Sequence, residues 1–291
     1  MNKKRVCRVI AFIVFGALGS TGAAADEMVI APAAFITAPT GIFNWSGFYI
    51  GGNGGYAGSS SSVTYGPNDA ASQAGTCGGV GRGQCIPNGN FQTIGPLGGG
   101  QIGYNWQVSP LWMAGVEADY QWANLTGQGN STFHLGNVGA ASNNVSLVAN
   151  QAVKSFGTVR ARAGWVIVNP LVFYGTAGLA YGQVNESANM LPDGAGTLSS
   201  GGFSYACVAG RSCFAGSSSK TMLGYTVGGG FDYALTSHLI LSAEVLYLNL
   251  GVPKATIVAQ NAAAGTTPAS FTATFGVAAF AVARGGLSFK F

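Results

Sequence analysis

The sequence predicts an all-β fold: an eight-stranded antiparallel barrel that spans a membrane, with short periplasmic turns and four long extracellular loops. Three observations predict it. The chain opens on an export signal, after which no run of 18 apolar residues follows that would make a transmembrane helix. Eight segments then alternate apolar and polar residues with period two. The links between those segments alternate short and long, the pattern of barrels that cross with strands.

The first 25 residues carry Lys3, Lys4, Arg5 and Arg8, an apolar run from Val9 to Leu18, and the small residues Ala23 to Ala25. This is a signal peptide with cleavage expected after Ala25. Residues 26–46 are expected as a periplasmic N-terminal segment and residues 47–291 as the barrel domain. Charged residues are 8% of the chain against roughly 25% in soluble proteins. Hydrophobic residues are 48%, too many for disorder. Four of the 13 cations precede residue 26, and the nine that remain meet nine acids. No basic surface for nucleic acid is left.

The eight strands are expected at 47–58, 97–108, 111–125, 154–167, 171–184, 221–235, 238–251 and 272–291. Each meets or exceeds the 9–11 residues, roughly, that a tilted strand needs to cross a bilayer. Strands 2–3, 4–5 and 6–7 are joined by two or three residues, "SP", "VNP" and "TS". The other links, 59–96, 126–153, 185–220 and 252–271, are rich in Gly, Ser, Asn, Ala and Thr and read as loops. The final segment, "VARGGLSFKF", puts Ala283, Leu287, Phe289 and Phe291 on one face and Arg284, Ser288 and Lys290 on the other. It is expected to pair with the first strand, which removes both sheet edges.

Parity assigns the faces. Glu117 and Asp119 share one side of the third strand, and Arg160 and Arg162 one side of the fourth. A charge on the lipid face costs about 2–4 kcal/mol at the bilayer midplane, so these four are expected in the lumen. The same argument turns Asp232, Glu244, Arg284 and Lys290 inward. Tyr104, Trp106, Trp165, Phe173, Tyr181, Tyr247, Phe289 and Phe291 then face lipid as aromatic girdles. The lumenal charges admit two readings, a salt-bridge network that plugs a narrow barrel or the constriction of a channel. Eight strands leave an interior just wide enough for side chains to fill, which favours the plug.

The stretches "NWSGFYIGGNGGYAG", "GGGQIGYNWQ", "AGVEADYQWANLTG", "GTVRARAGW", "LVFYGTAGLAYG", "GYTVGGGFDYAL", "SAEVLYLNLG" and "GGLSFKF" together resemble the small outer-membrane surface-antigen proteins of Gram-negative bacteria. That family is also called outer membrane immunogenic or porin-family proteins, and its members are OmpA-type eight-stranded barrels. The resemblance covers all eight strands and none of the loops. It implies outer-membrane location and folding by the barrel-assembly machinery, which reads a C-terminal aromatic signal. Phe291, with Phe289 at the same parity, fits that role. Some relatives are thought to bind haemin, which makes a haemin-binding surface protein a minor alternative.

Four cysteines follow the signal peptide. Cys77 with Cys85 and Cys207 with Cys213 is the simplest of three possible pairings, in an oxidising compartment. Their spacing and the lack of nearby histidines argue against a metal. His238 falls at a periplasmic turn and is expected to be solvated. His134 stands near Ser131 and Thr132, but no acid lies between Leu125 and Lys154 to orient a catalytic pair. The runs "GGNGG" (51–55) and "GGG" (98–100 and 228–230) lack the Lys-Ser/Thr of a phosphate loop, and are expected to let strands bend and lumenal side chains pack. The sequence therefore predicts a non-enzymatic barrel without a cofactor, set in outer-membrane lipid. Its expected role is structural and surface-exposed, with loops that meet host or envelope components; the alternative is a narrow porin for small solutes or ions.

Overall fold

A computed structural model of the chain describes residues 43–69, 72, 88–134, 144–192, 196–200, 203–207, 211–260 and 270–291. All of them fall in the unit Ile36–Phe291; the other unit, Met1–Phe35, lies outside the described residues, and with it the signal peptide and Ala25. Twelve strands form: β1 (Gly47–Pro67), β2 (Gly89–Gln107), β3 (Trp112–His134), β4 (Asn144–Val168), β5 (Leu171–Pro192), β6 (Gly196–Ser200), β7 (Phe203–Cys207), β8 (Phe214–Ala234), β9 (Leu239–Asn249), β10 (Lys254–Ala259), β11 (Ser270–Phe275) and β12 (Ala279–Lys290).

Eight of them close a ring. The order β1-β12-β9-β8-β5-β4-β3-β2 returns to β1 through the β1–β2 ladder, and every pair is antiparallel. Closure gives every strand of the ring a neighbour on both sides, which a sheet in lipid requires. At the outer end β10 and β11 continue β9 and β12 and take their places in the ring, between β8 and β1. The hairpin β6–β7 stands apart as its own sheet. Tight turns at 108–111, 169–170 and 235–238 make the periplasmic end, and Asn169–Pro170 is cis.

The strands run further than expected. The segments 59–67, 89–96, 126–134, 144–153, 185–192 and 214–220, expected as loop, are strand, and β4 reaches 25 residues. The physical reason is an inversion of polarity along each strand. In the lower part the outer face is apolar, with Val116, Tyr120 and Trp122 exposed on β3 and Phe173, Leu179 and Tyr181 exposed on β5. Above Trp122 the outward residues of β3 become Asn124, Thr126, Gln128 and Asn130, while Leu125 is fully buried inside. On β5 the outward series becomes Gln183, Asn185, Ser187 and Asn189, while Val184, Ala188 and Met190 are buried. The barrel thus behaves as a membrane protein below and as a water-soluble β-barrel above. Bulges on β3 between Trp122 and Leu125 and on β4 between Val153 and Ser155 mark the change of level.

All eight expected girdle aromatics face outward, from Tyr104 at 37% exposed to Phe291 at 67%. Glycine has a packing role inside: a Cβ on Gly103 would collide with the ring of Tyr49.

Candidate functional site

The cluster forms where the inward faces of β1, β3, β4, β8, β9 and β12 meet. Register brings Glu117 opposite Arg160 across β3–β4 and Glu244 opposite Arg284 across β9–β12. Seven of the eight charged residues expected inward are there, and none of the seven is more than 6% exposed. Arg160 is the hub. It pairs with Glu117, with Asp119 at 2.9 Å and with Glu244 at 2.6 Å. Arg162 joins Glu117 at 3.0 Å and Asp232 at 2.6 Å. Arg284 joins Asp119 at 3.0 Å and Glu244 at 2.6 Å. Four carboxylates face three guanidiniums, so each arginine bridges at least two acids. Lys290, also expected inward, sits half-buried at the periplasmic mouth, its ammonium 5.5 Å from the centre of the Phe43 ring.

Two tyrosines complete the cluster, and charge patterning along the sequence singles out neither. The Tyr49 hydroxyl donates to Glu117 at 2.6 Å and accepts from Arg162 at 2.6 Å. The Arg162 guanidinium lies 3.8 Å from the centre of the Tyr174 ring, a desolvated cation–π contact. Tyr49 has the inward parity of Asn53, opposite to Phe48 and Ile50, so its face is legible in the sequence and its partner is not. Thr158 donates to Asp119 at 2.7 Å.

Apolar layers seal the cluster on both sides. Below it, Phe43 and Trp45 pack with Met113, Val166, Val172 and Ile240. Phe43 and Trp45 belong to the expected periplasmic segment, and they fold into the barrel mouth. The Phe43 amide donates to the Asn169 side chain and the Trp45 amide to Gln107, each at 2.9 Å. Above the cluster, Phe156, Phe280, Leu246, Leu248 and Leu250 fill the lumen. A third layer, with Phe91, Phe214, Phe271 and Phe275, fills the outer extension. The cavity beside Glu117, Glu244 and Arg284 holds about 10 Å³, no more than one water. Within the cluster the guanidiniums and carboxylates neutralise one another through ion pairs that cross the lumen between strands.

The other candidate residues are scattered. Cys213 is buried and disulfide-bonded. Cys207 ends β7, but its side chain, like Cys77 and Cys85, lies outside the described residues. His134 ends β3. His238 is more than solvated: its ring stacks on Phe289 at 5.6 Å and its Nδ1 meets the Ser237 hydroxyl at 2.8 Å. The Phe291 amide donates to the Phe48 carbonyl at 2.9 Å, and its ring touches Phe48 and Phe289 at the β1–β12 seam.

Residues 28–278 match the family described as outer membrane protein beta-barrel domain. The 31 kDa outer-membrane immunogenic protein of Brucella melitensis is 33% identical over 243 residues, 84% of this chain and 87% of the relative. The 22 kDa outer membrane protein of Rhizobium leguminosarum bv. viciae is 28% identical over 207 residues, 70% of this chain and 64% of the relative. The crystal structure of OprG from Pseudomonas aeruginosa aligns with 86% of this chain and 98% of its own, at 17% identity and a TM-score of 0.42. With its ring of eight antiparallel strands, its lipid-facing girdle and its charged interior, the chain belongs to the outer membrane protein β-barrel family and resides in the outer membrane of a Gram-negative bacterium.

Proposed function

We propose that this barrel works from the cell surface, as a closed scaffold that braces the envelope and presents its outer extension and loops to host or envelope components. The observation that carries the reading is the filled lumen. Three apolar layers and one ion-pair layer occupy its length, and the cavity left in the charged layer is about one water in size. A channel needs a continuous wet path, and ions crossing Phe156 and Phe280 would lose hydration with nothing to replace it. The immunogenic character named for the Brucella relative supports surface exposure of this chain. Export with cleavage after Ala25, disulfides in the outer region and assembly through Phe289 and Phe291 belong to the same reading, as does the absence of catalysis.

The test is conductance. Residues 26–291, refolded and inserted into a planar bilayer, are expected to leave it silent, with insertion confirmed by protease protection and β-sheet circular dichroism. Discrete current steps that change size or ion preference in Glu117→Gln or Arg160→Gln would overturn the reading and make the protein a narrow porin.

A further inference from the structure

The ring has a breach. β8 pairs with β9 from Ala234 up to Tyr225, and with β10 only at Ala215 and Phe214. The backbones of Gly216 and Gly224 still lie against Ile257 and Leu250, and between them, among the described residues, 217–223 have no ladder partner on that side. The opposing chain turns there, through Gly251 at φ +89° and Pro253. Inward parity on β8 belongs to Thr226, Asp232 and Ala234, all buried. Lys220 shares that parity and yet is exposed, and Met222 is half-exposed. An inward-facing side chain reaches solvent only where the wall is open.

A cavity of about 170 Å³ occupies the breach, lined by Val184, Glu186, Ser218, Lys220, Met222, Val252, Pro253 and Lys254. Its lining joins interior residues of β5, Val184 and Glu186, to the exposed Val252 and Lys254, so it passes through the wall. Glu186 is 4% exposed and accepts one hydrogen bond, from Gln151 at 3.2 Å. Among the described residues it forms no ion pair, and neither does Lys220 or Lys254. The pocket is closed above and below. Val184 belongs to the apolar layer beneath it and Ala188 to the layer over it. It is a dead end, and so a place to bind rather than a path. Its level is the upper rim of the lipid-facing band, where the outward side chains of β8 change from Leu223 to Thr221 and Ser219.

We propose that this side pocket binds the anionic head of an amphiphile, a phosphate, sulfonate or carboxylate on an apolar chain, entering between β8 and the β9–β10 turn. Lys220 and Lys254 hold the anion with Ser218, and Val184, Met222, Val252 and Pro253 receive the first carbons of the chain. The size suits such a fragment, since a protein cavity of about 150 Å³ accommodates benzene. Glu186 opposes the anion when ionised. Burial pushes its carboxyl up to about 7, so it is half neutral at physiological pH and admits the ligand more readily in mild acid. The charged and titratable groups that line the pocket with it are Lys220 of β8 and Lys254 at the start of β10.

The probe is 1-decanesulfonate, ionised at every pH used, titrated by calorimetry into the refolded protein in phosphatidylcholine nanodiscs. Saturable one-to-one binding is expected. Lys220→Gln and Lys254→Gln, both exposed and safe for folding, should each weaken it roughly tenfold, the loss of one charge-assisted contact. Ser218→Trp should abolish it. Affinity should rise from pH 8 to pH 6, and Glu186→Gln should remove that dependence. Binding that is unsaturable, indifferent to Lys220→Gln and Lys254→Gln, or reproduced by decanol with the same heats would be mere partition into lipid and would overturn the site. Adding phosphatidylglycerol to the nanodiscs identifies the source: competition shows that the site takes a bilayer lipid, and no competition shows that it takes an amphiphile from water.

Discussion

At the residue scale the barrel rests on a few buried charges whose partners are far away in sequence. Arg160 and Glu244 are 84 residues apart and Arg284 and Asp119 are 165 apart. Burying such charges costs several kcal/mol each, and only a complete set of partners offsets it. Removing one member strands the others. Arg160→Met is therefore expected to lower unfolding stability by about 3–5 kcal/mol, read from urea midpoints in detergent micelles. Tyr49→Phe, which deletes one hydroxyl between Glu117 and Arg162, should cost about 1–3 kcal/mol in the same assay. An Arg160→Met midpoint equal to wild type would mean that the cluster braces nothing. Glu186 lies above the lipid-facing band. Its carboxyl is raised from 4.5 to about 7 because burial disfavours the charged form. Between those values the folded state binds more protons than the unfolded one, so stability falls as pH rises through that window. Unfolding midpoints measured from pH 4.5 to pH 7 should decline in wild type and stay flatter in Glu186→Gln. Charge combined with parity makes the cluster legible in the sequence alone. Trp45 is not legible there, because nothing in "FNWSG" says that the segment turns back into the barrel mouth.

At the scale of elements, period two reveals eight strands in the sequence and understates their length. The rule of an apolar outer face holds up to Trp122, Tyr181 and Leu223, with charged and apolar layers alternating inside. Beyond those residues the same period carries the opposite polarity. "KATIVA" and "SFTATF" bury Ala255, Ile257, Phe271, Ala273 and Phe275 and expose or half-expose Thr256, Thr272 and Thr274. "KATIVA" and the first two residues of "SFTATF" fall in the stretch that composition marks as loop, and in pattern both segments are soluble-type strand. Gly251 and Pro253 mark the turn where β9 gives way to β10. A side chain at φ +89° is strained, so Gly251→Ala should destabilise by roughly 1–2 kcal/mol in urea unfolding. The seam between β1 and β12 supplies a second prediction. Phe291 ties that seam through its amide and its ring, and it carries the expected assembly signal. Phe291→Ala should cut the yield of heat-modifiable, membrane-inserted barrel several-fold in cells while the refolded protein keeps its β-sheet spectrum. Unchanged yield in cells would remove the sorting role and leave an ordinary girdle residue.

At the scale of the whole molecule, the closed lumen proposed above is a stack in which each layer would close the bore by itself. Phe43 and Trp45 close the periplasmic mouth, the arginine cluster closes the next level, and Phe156 with Phe280 closes the level above. Local and global requirements agree in this stack. Eight strands set a bore that side chains can fill, and the inward parity of every strand supplies side chains of the right bulk. The stack also separates stability from conductance, which a channel constriction would join. In a constricted channel, neutralising the charged ring changes the current. In a stack, it changes only the free energy of unfolding, because three apolar layers still block the path. The double variant Glu117→Gln/Arg160→Gln should therefore unfold at lower urea than wild type and still leave a planar bilayer silent. Trp45→Ala, which opens the mouth alone, should be silent too. A variant that combines Trp45→Ala, Phe156→Ala and Phe280→Ala with the neutralised pair should be silent as well, because the outer layer of Phe91, Phe214, Phe271 and Phe275 stays in place. Steps from the double variant alone would show that a single layer had been the gate, and the layered account of the lumen would fall.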